Sequence, residues 1–363
     1  MRWPPMKRTL PVPDVWFAIP GDLTTLTGGY AYARRLMAAL PSAGWIPHHL
    51  PLPTEFPTPS ANALSATRSI LSAVPAGAAI LVDGLAFGVL PPKMLAEFDL
   101  GFVALVHHPL AAETGLSESE VKRFKDCERA ALAVARAVVV TSRHTLETLV
   151  SDYGVARGKL CLASPGTDQA ARARGAGPGA KLLTVATLTH RKAHNVLIAA
   201  LARLTDLDWS CDFVGSLDRD PRITTNVRAL IKSCGLEARV RLLGELQDAV
   251  LGAAYAGSDI FVLPSRFEGY GMVFAEALAR GLPIVACAAG AVTETVPADA
   301  GVLVPVDNPA ALAEALRRVL TDAGYRSRLS DAAWDHGRRL PTWSDTAAQV
   351  GQALGQVVRS SLP

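Results

Sequence analysis

The stretch FVLPSRFEGYGMVFAEALARGLPIVA, residues 261–286, decides how this chain folds. It opens on a short apolar run that stops at Pro264-Ser265, the pattern of a buried strand. A loop carrying Gly269 and Gly271 follows, and the segment from Met272 to Arg280 has the composition of a helix, stopped by Gly281-Leu282-Pro283 before the next strand. Strand, loop, helix and strand in this order form the repeating unit of a doubly wound parallel sheet. The loop points free backbone N–H groups and the positive end of a helix dipole at whatever lies above it, which suits an anion such as a diphosphate. Gly269 and Gly271 let the backbone come close to it. The carboxylates that flank the loop, Glu268 and Glu276, would repel a diphosphate, so sugar hydroxyls are their expected partners.

The same unit recurs outward in both directions. After it and before it, apolar runs at 181–187, 211–215, 239–244, 260–265 and 283–287 predict the strands of one α/β domain. Runs at 15–20, 78–84, 102–108 and 137–142 predict another, with helical spacing at 29–40 and 118–135 between them. The glycine-rich, small-residue stretch ARARGAGPGA at 171–180 reads as a flexible connection. The expected organisation is therefore a Rossmann-like domain over 1–170, a second over 181–340, and a C-terminal segment over 341–363. Ligands in such sheets sit beyond the C-terminal ends of the strands, so one site between the domains is expected.

A length of 363 residues suits two domains, and a hydrophobic fraction of 50% with 19% charged residues suits large buried sheets. The net charge of +3 is too small to argue for nucleic acid. Lys7-Arg8 and Arg34-Arg35 read as solvated surface, with peripheral contact to an anionic membrane as the alternative. The five cysteines, Cys127, Cys161, Cys211, Cys234 and Cys287, show no metal-ligand spacing and read as small buried residues in a reducing compartment. The proline-rich start MRWPPMKRTLPVPDVW does not read as a signal peptide, and no apolar run approaches membrane-spanning length, so a cytoplasmic protein is expected.

The Glu268/Glu276 pair, within PSRFEGYGMVFAEALARGLPIVA, resembles the E-x7-E motif of retaining glycosyltransferases of family 4, which have the GT-B fold. The resemblance implies that Glu268 contacts the transferred sugar, that Gly269, Tyr270, Gly271 and Met272 line the sugar and phosphates, and that Glu276 binds ribose. Upstream, VATLTHRKAHNVLIAAL at 185–201 is similar to the family segment that sets an arginine and a lysine on the donor diphosphate. Lys192 fits the lysine. The arginine's position is Thr187, and Arg191 stands beside the lysine instead, so Arg191 or the Thr187 hydroxyl is expected to share the role. Gly244, in Gly244-Glu245-Leu246, resembles the loop near the nucleotide base.

In the first half, Gly28-Gly29 opening a helix resembles the family loop that closes over the donor. FVALVHHPL sets His107 and His108 at a strand end; alignment favours His107 beside the transferred sugar, with His108 the near competitor. Asp83, ending another strand, is read as facing the acceptor or as a turn former. Two triplets, Asp206-Leu207-Asp208 and Asp218-Arg219-Asp220, echo the metal motif of the other glycosyltransferase fold but lack its context and read as surface acids. The resemblance implies metal-independent transfer with retention, with no cofactor, from a UDP- or GDP-sugar to a saccharide, lipid-linked or small-molecule hydroxyl. A GT-B epimerase and a non-catalytic sugar-nucleotide-binding subunit are the rival readings. The last segment resembles the helix that crosses back to the first domain, anchored by Trp343.

Overall fold

The computed structural model describes residues 12–175, 177 and 179–359. Its strands are β1 (Asp14–Pro20), β2 (Ile46–Leu52), β3 (Ala79–Asp83), β4 (Gly101–Val106), β5 (Ala137–Val140), β6 (Leu160–Leu162), β7 (Ala180–Val185), β8 (Trp209–Val214), β9 (Val240–Gly244), β10 (Ile260–Leu263), β11 (Ile284–Cys287) and β12 (Gly301–Val304). They form two six-stranded sheets, ordered β2-β1-β3-β4-β5-β6 and β12-β11-β10-β7-β8-β9. Every pairing is parallel. The chain is an α/β protein of two doubly wound sheets.

Central strands β3, β4, β5, β10 and β11 are buried along their whole length, because helices cover both faces of each sheet. Their continuous apolar runs were legible for that reason. Three strands escaped the pattern: β2 (IPHHLPL), β6 (LCL) and β12 (GVLV). Each lies at a sheet edge. An edge strand packs on fewer sides and tolerates proline, so β2 carries Pro47 and Pro51 and a mostly exposed pattern. Two boundaries also differ from expectation. Strand β4 ends at Val106, which puts His107 and His108 in the loop beyond it, and the helix after the glycine loop spans Met272–Leu278, short of Arg280.

One core of the first sheet packs Val15, Phe17, Ile19, Tyr32 and Leu36 against Ala347, Val350, Ala353, Leu354 and Val357. The latter belong to the helix Trp343–Arg359, so the end of the chain completes the first domain's core. A Cβ on Gly166 would overlap the Trp343 backbone, and Thr346 Oγ1 donates to the Ser164 carbonyl at 2.8 Å; both hold this crossing in register. Within the connection, Ala173 N–H donates to the Arg280 carbonyl at 2.8 Å and Arg174 N–H to that of Ala256 at 3.0 Å, so this part lies against the second domain.

Lys7-Arg8 and the proline-rich start before Val12 lie outside the described residues. Arg34 is not a solvated surface residue: Nη1 donates to the carbonyls of Leu23 at 2.6 Å and Thr25 at 2.9 Å, bracing the loop that leads to Gly28. Arg35 pairs with Asp168. Of the cysteines, Cys211 and Cys287 are buried but Cys127 is exposed. Among the described residues, no helix is long and apolar enough to cross a membrane.

Candidate active site

Each sheet reverses its winding once, between β1 and β3 in the first and between β7 and β10 in the second. Strands on either side of such a switch point send their following loops apart, and the crevice left there is where ligands enter a doubly wound sheet. Several of the sequence-predicted residues flank these two crevices, while Gly244 ends the edge strand β9. Arg191 and Lys192 follow β7 and Glu268 follows β10; Gly28 and Gly29 follow β1, Asp83 ends β3, and His107 and His108 follow β4.

Glu268 is the centre of the second domain's crevice. Its carboxylate is 5% exposed, meets Lys192 Nζ at 2.6 Å and Arg191 Nη1 at 3.2 Å, and is thereby neutralised on both oxygens. Burial would raise its pKa, but the two cations overcome burial and hold it down at about 2. Arg191 Nη1 also donates to the Phe267 carbonyl at 2.9 Å. Thr187 is half-buried at the start of the same loop. The cation that reaches Glu268 beside Lys192 is therefore Arg191.

Gly269 and Gly271 are required by the backbone. A Cβ on Gly269 would overlap the His107 carbonyl oxygen across the cleft, and Gly271 adopts a φ of 85° as it opens the helix Met272–Leu278. Met272 packs on the first domain's core beside Trp343. The Tyr270 carbonyl accepts from Thr295 Oγ1 at 2.7 Å, and burial raises its phenol to about 12. One turn on, Glu276 Oε2 accepts from Tyr255 OH at 2.8 Å; burial pushes its pKa up, against the pull of that hydrogen bond. Gly244, at the end of β9, borders a cavity of about 430 Å³ that Ser216, Asp218, Thr225, Arg228 and Glu245 also line.

On the first domain's side, His107 Nε2 is buried without a hydrogen-bond partner and lies 3.6 Å from Asp83 Oδ2. Its ring meets Tyr32 edge to face at 5.0 Å. Asp83 is a turn former, its Oδ1 accepting from Leu85 N–H at 2.9 Å, while its Oδ2 faces His107. A Cβ on Gly29 would stand 4.0 Å from His107 Nε2, so the glycine loop and this histidine share one space, and Gly28 beside it has open space above it. His108 meets Phe267, with ring centroids 5.7 Å apart, and Glu113, with Nε2 3.8 Å from Oε2. Burial lowers its pKa.

Sequence reading missed Glu113 and Tyr255. Glu113 reaches Arg191 Nε across the cleft at 3.3 Å, and Tyr255 holds Glu276. Neither carries a spacing signal, because each meets its partner only through the fold. Of the acids of the D-x-D triplets, Asp206 and Asp208 are exposed, with Asp206 pairing with Arg317 at 2.7 Å; Asp220 caps the helix Pro221–Ser233, and Asp218 lines the cavity beside Gly244. Among the described residues no three His, Cys, Asp or Glu side chains are grouped as metal ligands.

Residues 168–336 match the family model of glycosyl transferases group 1. A D-inositol 3-phosphate glycosyltransferase of Corynebacterium efficiens is 30% identical over 286 residues, 71% of this chain and 67% of the relative. This chain belongs to the group 1 glycosyl transferases. Another D-inositol 3-phosphate glycosyltransferase, from Corynebacterium glutamicum (strain R), is 28% identical over 72% of this chain and 68% of its own. Sucrose-phosphate synthase from Thermosynechococcus elongatus has the same fold, with a TM-score of 0.81 at 23% identity over 95% of this chain and 99% of that one. HepE of Anabaena, solved in complex with UDP and glucose, also has it, with a TM-score of 0.76 at 16% identity over 94% and 99%. The two-sheet architecture is therefore GT-B, and this group 1 glycosyl transferase is an enzyme of sugar transfer.

Proposed function

We propose that this glycosyltransferase moves a sugar from a UDP- or GDP-sugar to an acceptor hydroxyl, with retention of anomeric configuration and without a metal ion or other cofactor. The observation that carries the reading is the convergence of Lys192 and Arg191 on Glu268 at the switch point of the second sheet. A departing nucleoside diphosphate builds up negative charge, and Lys192 and Arg191 are fixed cations at the place where it would form. Glu268, held ionised, accepts hydrogen bonds from hydroxyls of the transferred sugar. Glu276, oriented by Tyr255, takes the ribose hydroxyls, and the cavity beside Gly244 takes the base.

Retention follows from attack of the acceptor on the face that the diphosphate leaves, with the leaving phosphate accepting the acceptor's proton. Neither glutamate then acts as a nucleophile, in contrast to a retaining glycosidase. His107, between Asp83 and Gly29, lies beside the sugar and donates to one of its hydroxyls; the acceptor enters from the side of Gly28 and Asp83. Closure of Gly269 onto His107 excludes water from the reacting bond.

The test is a thermal-shift screen against UDP, GDP, ADP and TDP and their sugars, with EDTA and with magnesium. It is followed by product analysis with acceptors that include D-inositol 3-phosphate, the compound named in the relatives above. Stabilisation by one nucleotide family in EDTA and a product whose anomeric configuration matches that of the donor support the proposal. Activity that requires magnesium, or inversion at the anomeric carbon, would overturn it.

A further inference from the structure

Arg191 spends its charge on both domains. Its Nη1 meets Glu268 within the second domain at 3.2 Å, while its Nε meets Glu113 of the first domain at 3.3 Å. Glu113 lies in the segment that follows His107 and His108, and the residue after it, Thr114, has its hydroxyl 3.2 Å from His190 Nδ1, one position before Arg191. The cleft is thus stitched shut by two neighbouring side chains of one loop acting on two neighbouring side chains of the other.

The charges in this cluster already balance, Arg191 and Lys192 against Glu268 and Glu113. A diphosphate arriving at the two cations would leave the cluster strongly negative unless a carboxylate withdrew. Glu268 is the poorer candidate to leave: its side chain is 6% exposed and both of its oxygens are bound by cations. Glu113 is 44% exposed and touches Arg191 through Oε1, which also accepts from Thr114 N–H at 2.9 Å, while Oε2 already lies 3.8 Å from His108 Nε2.

We propose that Glu113 is a positioning residue that holds Arg191 and the closed cleft in the free enzyme as a stand-in for the donor's diphosphate, and that donor binding displaces it from Arg191. This rests on the donor site proposed above. The displaced carboxylate keeps His108, already 3.8 Å from its other oxygen, as its partner, which couples occupation of the donor site to a rearrangement of the loop at residues 109–116 on the acceptor side.

The experiment is calorimetric titration of UDP, GDP, ADP and TDP into the wild type and into Glu113→Gln, Glu113→Ala and Lys192→Ala, with amide exchange of residues 109–116 followed in parallel. Removing an internal competitor tightens binding, so both Glu113 variants should bind the preferred nucleotide about two- to fivefold more strongly, the span expected of a partly exposed ion pair. Exchange in the wild-type loop should quicken when nucleotide is added and should already be fast in Glu113→Gln. Lys192→Ala separates the two readings. If it binds as the wild type does, or if no nucleotide binds the wild type, the donor site is misplaced and this proposal falls with it. If Lys192→Ala binds weakly while the Glu113 variants bind no better than the wild type, the donor site stands and the proposal alone is overturned. A loop that exchanges more slowly, or unchanged, with nucleotide bound overturns it as well.

Discussion

At the scale of single residues, the donor-side cluster places its two key groups in opposite electrostatic situations. Glu268 is pinned as an anion by neighbouring cations, whereas Glu276 is half-buried, has its pKa pushed up by burial, and is held by one phenol. Replacing Lys192 by alanine removes a charge-assisted partner, and replacing Glu276 by alanine removes a hydrogen-bonding carboxylate. Each change should weaken nucleotide binding by at least about tenfold while the far-ultraviolet circular dichroism stays unchanged. Wild-type affinity in both variants would contradict the assignment. Between Lys192 and His194 stands Ala193, fully buried with a φ of 52°. An L-residue with a side chain pays roughly 1 kcal/mol or more for this left-handed conformation, and glycine does not. Ala193→Gly should therefore raise stability by up to about 1 kcal/mol in urea titration, part of the gain being offset by the more mobile unfolded chain. A lowered midpoint would mean that the packing of the Ala193 methyl in its core outweighs the strain.

At the scale of elements, the helix Glu118–Val134 shows how a support for the site is built away from it. Ser117 and Glu120 close a capping box that starts the helix, and Glu128, on its buried face, accepts from Leu110 N–H at 3.0 Å. That bond braces the loop between His108 and Glu113 from behind. Burial raises the Glu128 pKa from 4.5 to about 8, only partly opposed by the Leu110 N–H bond. The folded protein keeps this proton up to about pH 8, and the unfolded chain releases it near 4.5. The proton-linked stabilisation is therefore complete below about pH 4.5 and is lost as the pH rises toward 8, at up to about 1.4 kcal/mol per pH unit. Urea midpoints measured from pH 7 to pH 8, above the range in which unfolding adds protons to the buried His108 and His194, should fall with a slope that Glu128→Gln removes. Equal slopes in the two proteins would place the cause elsewhere.

Element identity was legible where burial is symmetrical. The continuous runs of β3, β4, β10 and β11 follow from being covered on both faces, and the glycine loop before Met272 announced its turn. The edges β2, β6 and β12 were not legible, because a half-exposed strand needs no unbroken apolar run. The candidate site divides in the same way. Glu268, Glu276 and Lys192 lie in local strand–loop–helix patterns, but that Arg191 joins Lys192 on Glu268 depended on the side chains that the folded loop delivers there.

At the scale of the whole molecule, the final helix decides whether the first domain is complete. Ala347, Val350, Leu354 and Val357 recur at helical spacing and fill the core above Val15 and Phe17. Leu354→Ala would open a cavity there and should cost about 2–5 kcal/mol, read as a shift of the denaturation midpoint. A change within error would show that this helix packs on the first domain without stabilising it.

The sequence by itself determined the two parallel α/β domains and the loop that carries Glu268 and Glu276, since periodicity, glycine placement and capping act over a few neighbouring residues. Only the tertiary structure decided that Arg191 meets Glu268, that Glu113 closes on Arg191 from the other domain, and that Gly269 abuts His107. These contacts join residues far apart in the chain, and their partners are selected by the positions of whole strands and domains, which no local pattern encodes.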